Sequence, residues 1–151
     1  MVEVQSQPVA AWEFSAGTRG WSAMMGVKEL RAEAGELRFV TTSGDPAVSA
    51  KLGGVPARRY PYIIIKMRVD AREGEAADPA QLFWSTTTTP VHEPASLKFT
   101  PANDGEFHTY TLNAAENKRW RGRLATFRFD PCSRPGAKVA IAEVRLSADG
   151  K

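Results

Sequence analysis

Residues 124–146 constrain the fold more than any other stretch. Leu124 to Asp130 alternates, with Ala125, Phe127 and Phe129 assigned to one side and Leu124, Thr126 and Arg128 to the other. Asp130-Pro131 ends the run, because proline brings no amide hydrogen to a ladder and restricts the residue before it. Arg134-Pro135-Gly136 supplies a turn, and Val139 to Leu146 resumes the period of two. Two amphipathic strands so closely joined predict a last strand that lies inside a sheet, as in a β-sandwich.

The remainder of the chain has the same grain. Ala10 to Phe14, Val27 to Ala32, Glu36 to Thr42, Ala47 to Leu52, Gln81 to Thr86, Ala95 to Phe99 and Glu106 to Leu112 read as short strands. A turn at Gly35 makes a hairpin of the second and third, and Gly53-Gly54 is expected to break the strand before it. Tyr60 to Val69 has Ile63, Ile65, Met67 and Val69 on one face and Tyr62, Ile64, Lys66 and Arg68 on the other. That pattern predicts a central strand whose second face meets water or a ligand. No segment longer than about eight residues has a helical period. At 151 residues the expectation is one all-β domain, an antiparallel β-sandwich over residues 10–147. Residues 1–9 then form an N-terminal extension and 148–151 a short tail.

Several function classes are disfavoured. No glycine-rich phosphate loop, nucleophile elbow or metalloprotease helix occurs. His92 and His108 have no metal-ligand spacing, and the single cysteine, Cys132, excludes an intrachain disulfide and a cysteine zinc site. Glu93 and Asp104 are the loop carboxylates from which a glycosidase pair would be drawn, yet no motif fixes a partner for either. The reading is non-catalytic. No stretch approaches the roughly 20 apolar residues of a membrane helix, and residues 1–8 lack a signal-peptide pattern. A secreted parent would make the chain a domain excised from a longer protein, with Met1 added. The net charge is only +3, but Lys118, Arg119, Arg121 and Arg123 cluster, as do Arg58-Arg59 and Lys66 with Arg68. Such groups attract anionic partners, whether acidic polysaccharide, nucleic acid or membrane surface, or else form a solvated rim.

The combination Trp120-Arg121-Gly122, Phe127-Arg128-Phe129-Asp130-Pro131, Gly136 and Ile141 to Leu146 resembles bacterial jelly-roll domains of the galactose-binding-like, carbohydrate-binding-module type. Gln81-Leu82-Phe83-Trp84 and Gly105-Glu106-Phe107-His108-Thr109-Tyr110 are similar to segments of the same domains. The resemblance spans residues 10–147. It implies an extracellular or cell-surface module, attached to an enzyme or surface protein. It also implies a structural calcium where first and last strands meet, for which Glu13 and Glu143 are the matching carboxylates.

Sugar-binding surfaces use flat aromatic rings, because a pyranose presents an apolar face of CH groups, with polar side chains nearby to meet hydroxyls. Trp84 is therefore either a stacking platform on a polar sheet face or a core anchor shared with Leu82. Trp120 is either a ligand contact or a staple at the sheet edge. Arg128, between two phenylalanines, must point away from the core or be paired. It joins Lys66 and Arg68 in the expected face, with Tyr110 and Lys98 beside them and His92 and Glu93 at the loop edge. The expected function is non-catalytic binding of a polysaccharide or oligosaccharide, uronic or sulfated in preference to neutral. The alternative is a structural or protein-interaction sandwich that leaves this face unused. Nucleic-acid binding through residues 118–123 ranks last.

Overall fold

A computed structural model describes residues 8–72 and 74–151. Among them run eleven strands: β1 (Ala11–Glu13), β2 (Ser22–Met25), β3 (Val27–Glu33), β4 (Glu36–Thr41), β5 (Ala47–Pro56), β6 (Tyr62–Asp70), β7 (Ala80–Thr86), β8 (Ser96–Phe99), β9 (His108–Asn113), β10 (Arg123–Asp130) and β11 (Lys138–Ser147). One sheet has the order β3-β4-β11-β6-β9, with β1 beside the second half of β11, and the other the order β2-β5-β10-β7-β8. Every pairing is antiparallel. The fold is the antiparallel β-sandwich that the alternation predicts. Both closing strands are interior, but in different sheets, so residues 131–137 carry the chain from one layer to the other.

The core lies where the inner faces meet. Leu37, Phe39, Ile63, Ile65 and Met67 pack from the first sheet against Leu52, Leu82, Trp84, Phe127 and Phe129 from the second. Period-two burial is the driving term, each large side chain contributing about 1.5–3 kcal/mol on leaving water. β3 and β4 form the expected hairpin, with Ala34 and Gly35 at φ 53° and 77° between the paired residues Glu33 and Glu36.

Two expectations fail at one rung. The register of β10 shifts between Leu124 and Thr126 against both neighbours, which is a β-bulge at Ala125. The extra residue inverts the phase upstream, so fully buried Leu124 joins Phe127 and Phe129 in the core. Opposite the bulge, Gly53 and Gly54 do not end β5. At φ 78° and 96° they let it swell between Lys51, opposite Thr126, and Val55, opposite Leu124. β2 was not foreseen. All four of its residues are exposed, so no alternation marks it.

The crossing segment is clamped by Arg134. Its Nε and Nη2 donate to the two oxygens of Asp78 at 2.6 and 2.7 Å, and Nη2 also donates to the Ala76 carbonyl at 2.6 Å. Buried Thr41 donates its hydroxyl to the Arg134 carbonyl at 2.7 Å and accepts from Ala137 N–H at 2.9 Å. Burial raises the Cys132 thiol, which lies in this segment, so it is a structural group and a poor nucleophile.

Hydrogen bonding from Arg134 holds the Asp78 carboxyl below its ordinary range. A carboxylate lowered in the folded state adds stability above its unfolded value of about 3.9, and that stability is lost as pH falls through the lower folded value. Asp78→Asn is expected to cost about 1 kcal/mol at pH 7, the pair being partly screened by solvent. Urea titrations at pH 7 and at successively lower pH check this: the variant and parent curves separate at pH 7 and draw together as pH falls.

Candidate binding face

Because Phe127 and Phe129 point inward, Thr126, Arg128 and Asp130 stand on the outer face of their sheet. Cross-strand register builds three rungs: Thr126 opposite Ser85, Arg128 opposite Phe83, and Asp130 opposite Gln81. β8 extends the last two with Ser96 opposite Phe83 and Lys98 opposite Gln81. The Arg128 guanidinium lies 5.0 Å from the Phe83 ring centroid. Its Nε and Nη2 donate to the two oxygens of Asp130 at 2.9 and 3.0 Å, and Nη2 also reaches Asp45 at 3.4 Å. Burial raises the Asp130 carboxyl despite the opposing hydrogen bonds and charge of Arg128. Nη1 of Arg128 has no hydrogen-bond partner among the described residues. A fork held by one ring and two carboxylates thus leaves one nitrogen unbonded among the described residues.

Beside it, Gln81 Nε2 donates to Glu93 Oε1 and to Ser96 Oγ, each at 2.9 Å, and Lys98 lies 4.0 Å from Glu93. Arg128 and Lys98 therefore share a face, and Glu93 reaches its edge from the loop. Phe83, Gln81, Ser96, Asp45 and Asp130 were missed. The signal for Phe83 and Gln81 was present, since they alternate with Leu82 and Trp84. Asp45 could not be reached by any local pattern. Cations and carboxylates balance here, Lys51, Lys98 and Arg128 against Asp45, Glu93 and Asp130.

Other expected site residues are placed elsewhere. Trp84 is 1% exposed, meets Trp120 edge-on with centroids 5.0 Å apart, and donates Nε1–H to the Arg119 carbonyl at 3.0 Å. Trp120 is 7% exposed and donates to the Tyr60 carbonyl at 2.8 Å. Both are core anchors, not platforms: the apolar phase of β7 turns Trp84 inward, and Trp120, which precedes β10, is held against it by ring packing and its bond to Tyr60. Trp12 and Trp21 are buried as well, so no indole offers a face to solvent. Tyr110 packs on Phe99 and accepts the Ala102 N–H at 2.9 Å, again inward. Lys66 and Arg68 do project outward, over the Phe107 ring at 5.9 and 5.1 Å, but from the other sheet. The single face joining them to Arg128 does not exist, since the two outer faces look in opposite directions. His92 lies at the end of the sandwich, in a cleft with Thr86, Thr88, Thr89, Arg119 and Arg121.

Glu13 and Glu143 are direct cross-strand partners, where β1 meets β11 as expected. Each is already matched by an arginine, Glu13 with Arg19 at 3.8 Å and Glu143 with Arg145. Among the described residues no group of three or more His, Cys, Asp or Glu gathers as a metal site. Calcium takes six to eight oxygens, of which two carboxylates supply at most about four.

No protein-family model and no curated protein matches the chain. The fold is similar to that of solved carbohydrate-binding modules. A family 29 carbohydrate-binding module superposes with a TM-score of 0.61 at 15% identity over 93% of each chain. A family 29 module complexed with cellulohexaose gives 0.59 at 17% over 93% of each chain. A family 4 module gives 0.59 at 10%, over 89% of this chain and 95% of that one.

With every indole buried, tryptophan emission is expected to be blue-shifted and insensitive to iodide in the native state. Trp84→Phe is expected to cost about 1 kcal/mol or more, from the lost bond to Arg119 and the volume left unfilled, and Trp84→Ala about 3–5 kcal/mol. Thermal unfolding of the two variants measures the difference.

Proposed function

We propose that this protein is a non-catalytic carbohydrate-binding module whose ligand lies across the outer faces of β10, β7 and β8. The observation that carries this reading is the Arg128 fork, stacked on Phe83 and gripped by Asp130, with Nη1 left open. Such a donor is already ordered, so a saccharide hydroxyl gains its bond without immobilising a long side chain. Gln81, Ser96 and Lys98 continue the polar row. Recognition here rests on hydrogen bonds more than on ring stacking. Exposed Met24 and Met25 on β2 add adaptable apolar surface to the same sheet. Support comes also from the neighbours, one of which was complexed with cellulohexaose. Glu93 is bound to Gln81, while Asp104 holds His108 at 2.7 Å and Glu106 N–H at 2.9 Å, so the two loop carboxylates serve separate local structures.

The module would hold an attached enzyme or surface protein on a polysaccharide, outside the cell or at its surface. The face has no surplus of cations, so support for a uronic or sulfated ligand comes from arginines at the end of the sandwich. For calcium at Glu13 and Glu143, the melting midpoint is expected to be the same in calcium and in chelator; a calcium-dependent rise lost in Glu143→Gln would assign the ion there.

Affinity electrophoresis against neutral, uronic and sulfated polysaccharides tests the function. Arg128→Ala is expected to weaken retardation about tenfold or more, and Arg128→Lys not to restore it, since an ammonium lacks the planar fork. Absence of retardation by any polysaccharide would sink the proposal in favour of a structural sandwich.

A further inference from the structure

The two basic groups that are remote in sequence meet at one end of the sandwich. Ala57 N–H donates to the Gly122 carbonyl at 2.9 Å, and Trp120 Nε1 to the Tyr60 carbonyl at 2.8 Å. These bonds set the Arg58-Arg59 turn beside the segment bearing Lys118, Arg119, Arg121 and Arg123. Trp84 Nε1 fixes the same segment through the Arg119 carbonyl. The buried indoles thus hold it by its backbone and leave the side chains outside, where Arg119 and Arg121 are exposed.

Among the described arginines, pairing with a carboxylate is commoner away from this end. Arg31, Arg38, Arg128, Arg134 and Arg145 each pair with a carboxylate. Arg58, Arg59, Arg119, Arg121 and Arg123 have no carboxylate partner among the described residues. Arg119 and Arg121 line a cleft of about 320 Å³ with Thr86, Thr88, Thr89 and His92. The His92 imidazole has no hydrogen-bond partner among the described residues. The cleft therefore joins uncompensated guanidinium charge to hydroxyl and imidazole groups, in a concavity rather than on a flat rim.

We infer that this cleft is a second, anion-selective subsite, which takes the sulfate or carboxylate groups of an acidic polysaccharide. The inference rests on the glycan-binding reading and adds the ligand's charge to it. Guanidinium forks fit the paired oxygens of either group, and threonine hydroxyls meet the adjoining sugar. Single-stranded nucleic acid is disfavoured, because bases need exposed rings on which to stack and Trp84 and Trp120 are closed off. The cleft opens beside the loops that follow β7, so a chain lying on the outer sheet face is free to continue into it.

The test uses two double variants, Arg119→Ala with Arg121→Ala and Arg58→Ala with Arg59→Ala, each drawn from one of the two segments. Binding is measured to dextran sulfate, to polygalacturonate and to neutral hydroxyethylcellulose, with a DNA duplex as a non-sugar polyanion. Both variants are expected to keep the parent melting midpoint and to lose about tenfold or more in affinity for an acidic polysaccharide at low salt. Their binding should also respond less to salt, and any binding of hydroxyethylcellulose should be unchanged. Preference for dextran sulfate or for polygalacturonate identifies sulfate or carboxylate. Undiminished acidic binding in the Arg119→Ala with Arg121→Ala variant, or DNA bound as tightly as dextran sulfate, would overturn this inference alone. A parent protein that binds no polysaccharide would overturn it together with the glycan-binding reading.

Discussion

Everything that β10 presents to solvent follows from the burial of Phe127 and Phe129. The two rings fill the centre of the inter-sheet layer, Phe127 against Trp12 and Trp120, and Phe129 against Phe99. A slip of one residue would exchange them for Arg128, placing a guanidinium in an apolar interior at a cost far above any hydrogen bond it could regain. The register of the central strand is therefore unambiguous below the bulge. Arg128, Phe83 and Asp130 inherit their positions from that restriction. Phe83, at the solvent side of a sheet, then gains a role that a buried phenylalanine lacks: it supports the guanidinium that Asp130 orients.

The tryptophans serve the same layer. Trp84 could have been an exposed platform by its chemistry, yet all four indoles are interior. Trp84 and Trp120 each meet the cost of burying an indole N–H by donating to a main-chain carbonyl. Those carbonyls belong to segments without regular strand pairing, 119 and 60. The core thus extends its order into the loops at one end, which is how a basic segment comes to be held in place through its backbone. Charge at the two candidate surfaces differs for this reason. On the sheet face Arg128 and Lys98 each have an acidic neighbour, whereas at the end of the sandwich the positioning is done by backbone bonds and the arginines have no carboxylate partner among the described residues.

Much of the fold was legible in local pattern. Ile63, Ile65, Met67 and Val69 announced β6, and the Gly35 turn announced the β3–β4 hairpin. Ala95 to Phe99 likewise read as a strand, and β8 covers Ser96–Phe99. The failures have particular causes. The bulge at Ala125 breaks a period that looks unbroken in the letters, because Ala125 is apolar enough to pass for a core residue. Gly53 and Gly54 look like a stop, but a glycine pair at positive φ can swell a strand and return it to the same partner. β2 is an edge strand with no buried side, so it leaves no periodic trace. Of the candidate site, Arg128, Lys98 and Glu93 were found together. Trp84, Trp120 and Tyr110 were drawn into it by chemistry that suits sugars in general, with nothing local to decide their side.

The sequence by itself determined that the chain is a β-sandwich, that Phe127 and Phe129 oppose Arg128, and that Leu82 and Trp84 oppose Phe83. These are statements about which side of one strand a residue occupies, and the pleat dictates them over a few residues. Only the tertiary structure decided which strands share a sheet. That choice is made by pairing between segments tens of residues apart, which leaves no mark in a local period. It separated Lys66 and Arg68 from Arg128 by placing β6 and β10 in opposite layers. It also brought Arg58 and Arg59 beside Arg119 and Arg121, because the turn after β5 and the segment before β10 must meet wherever those two strands pair.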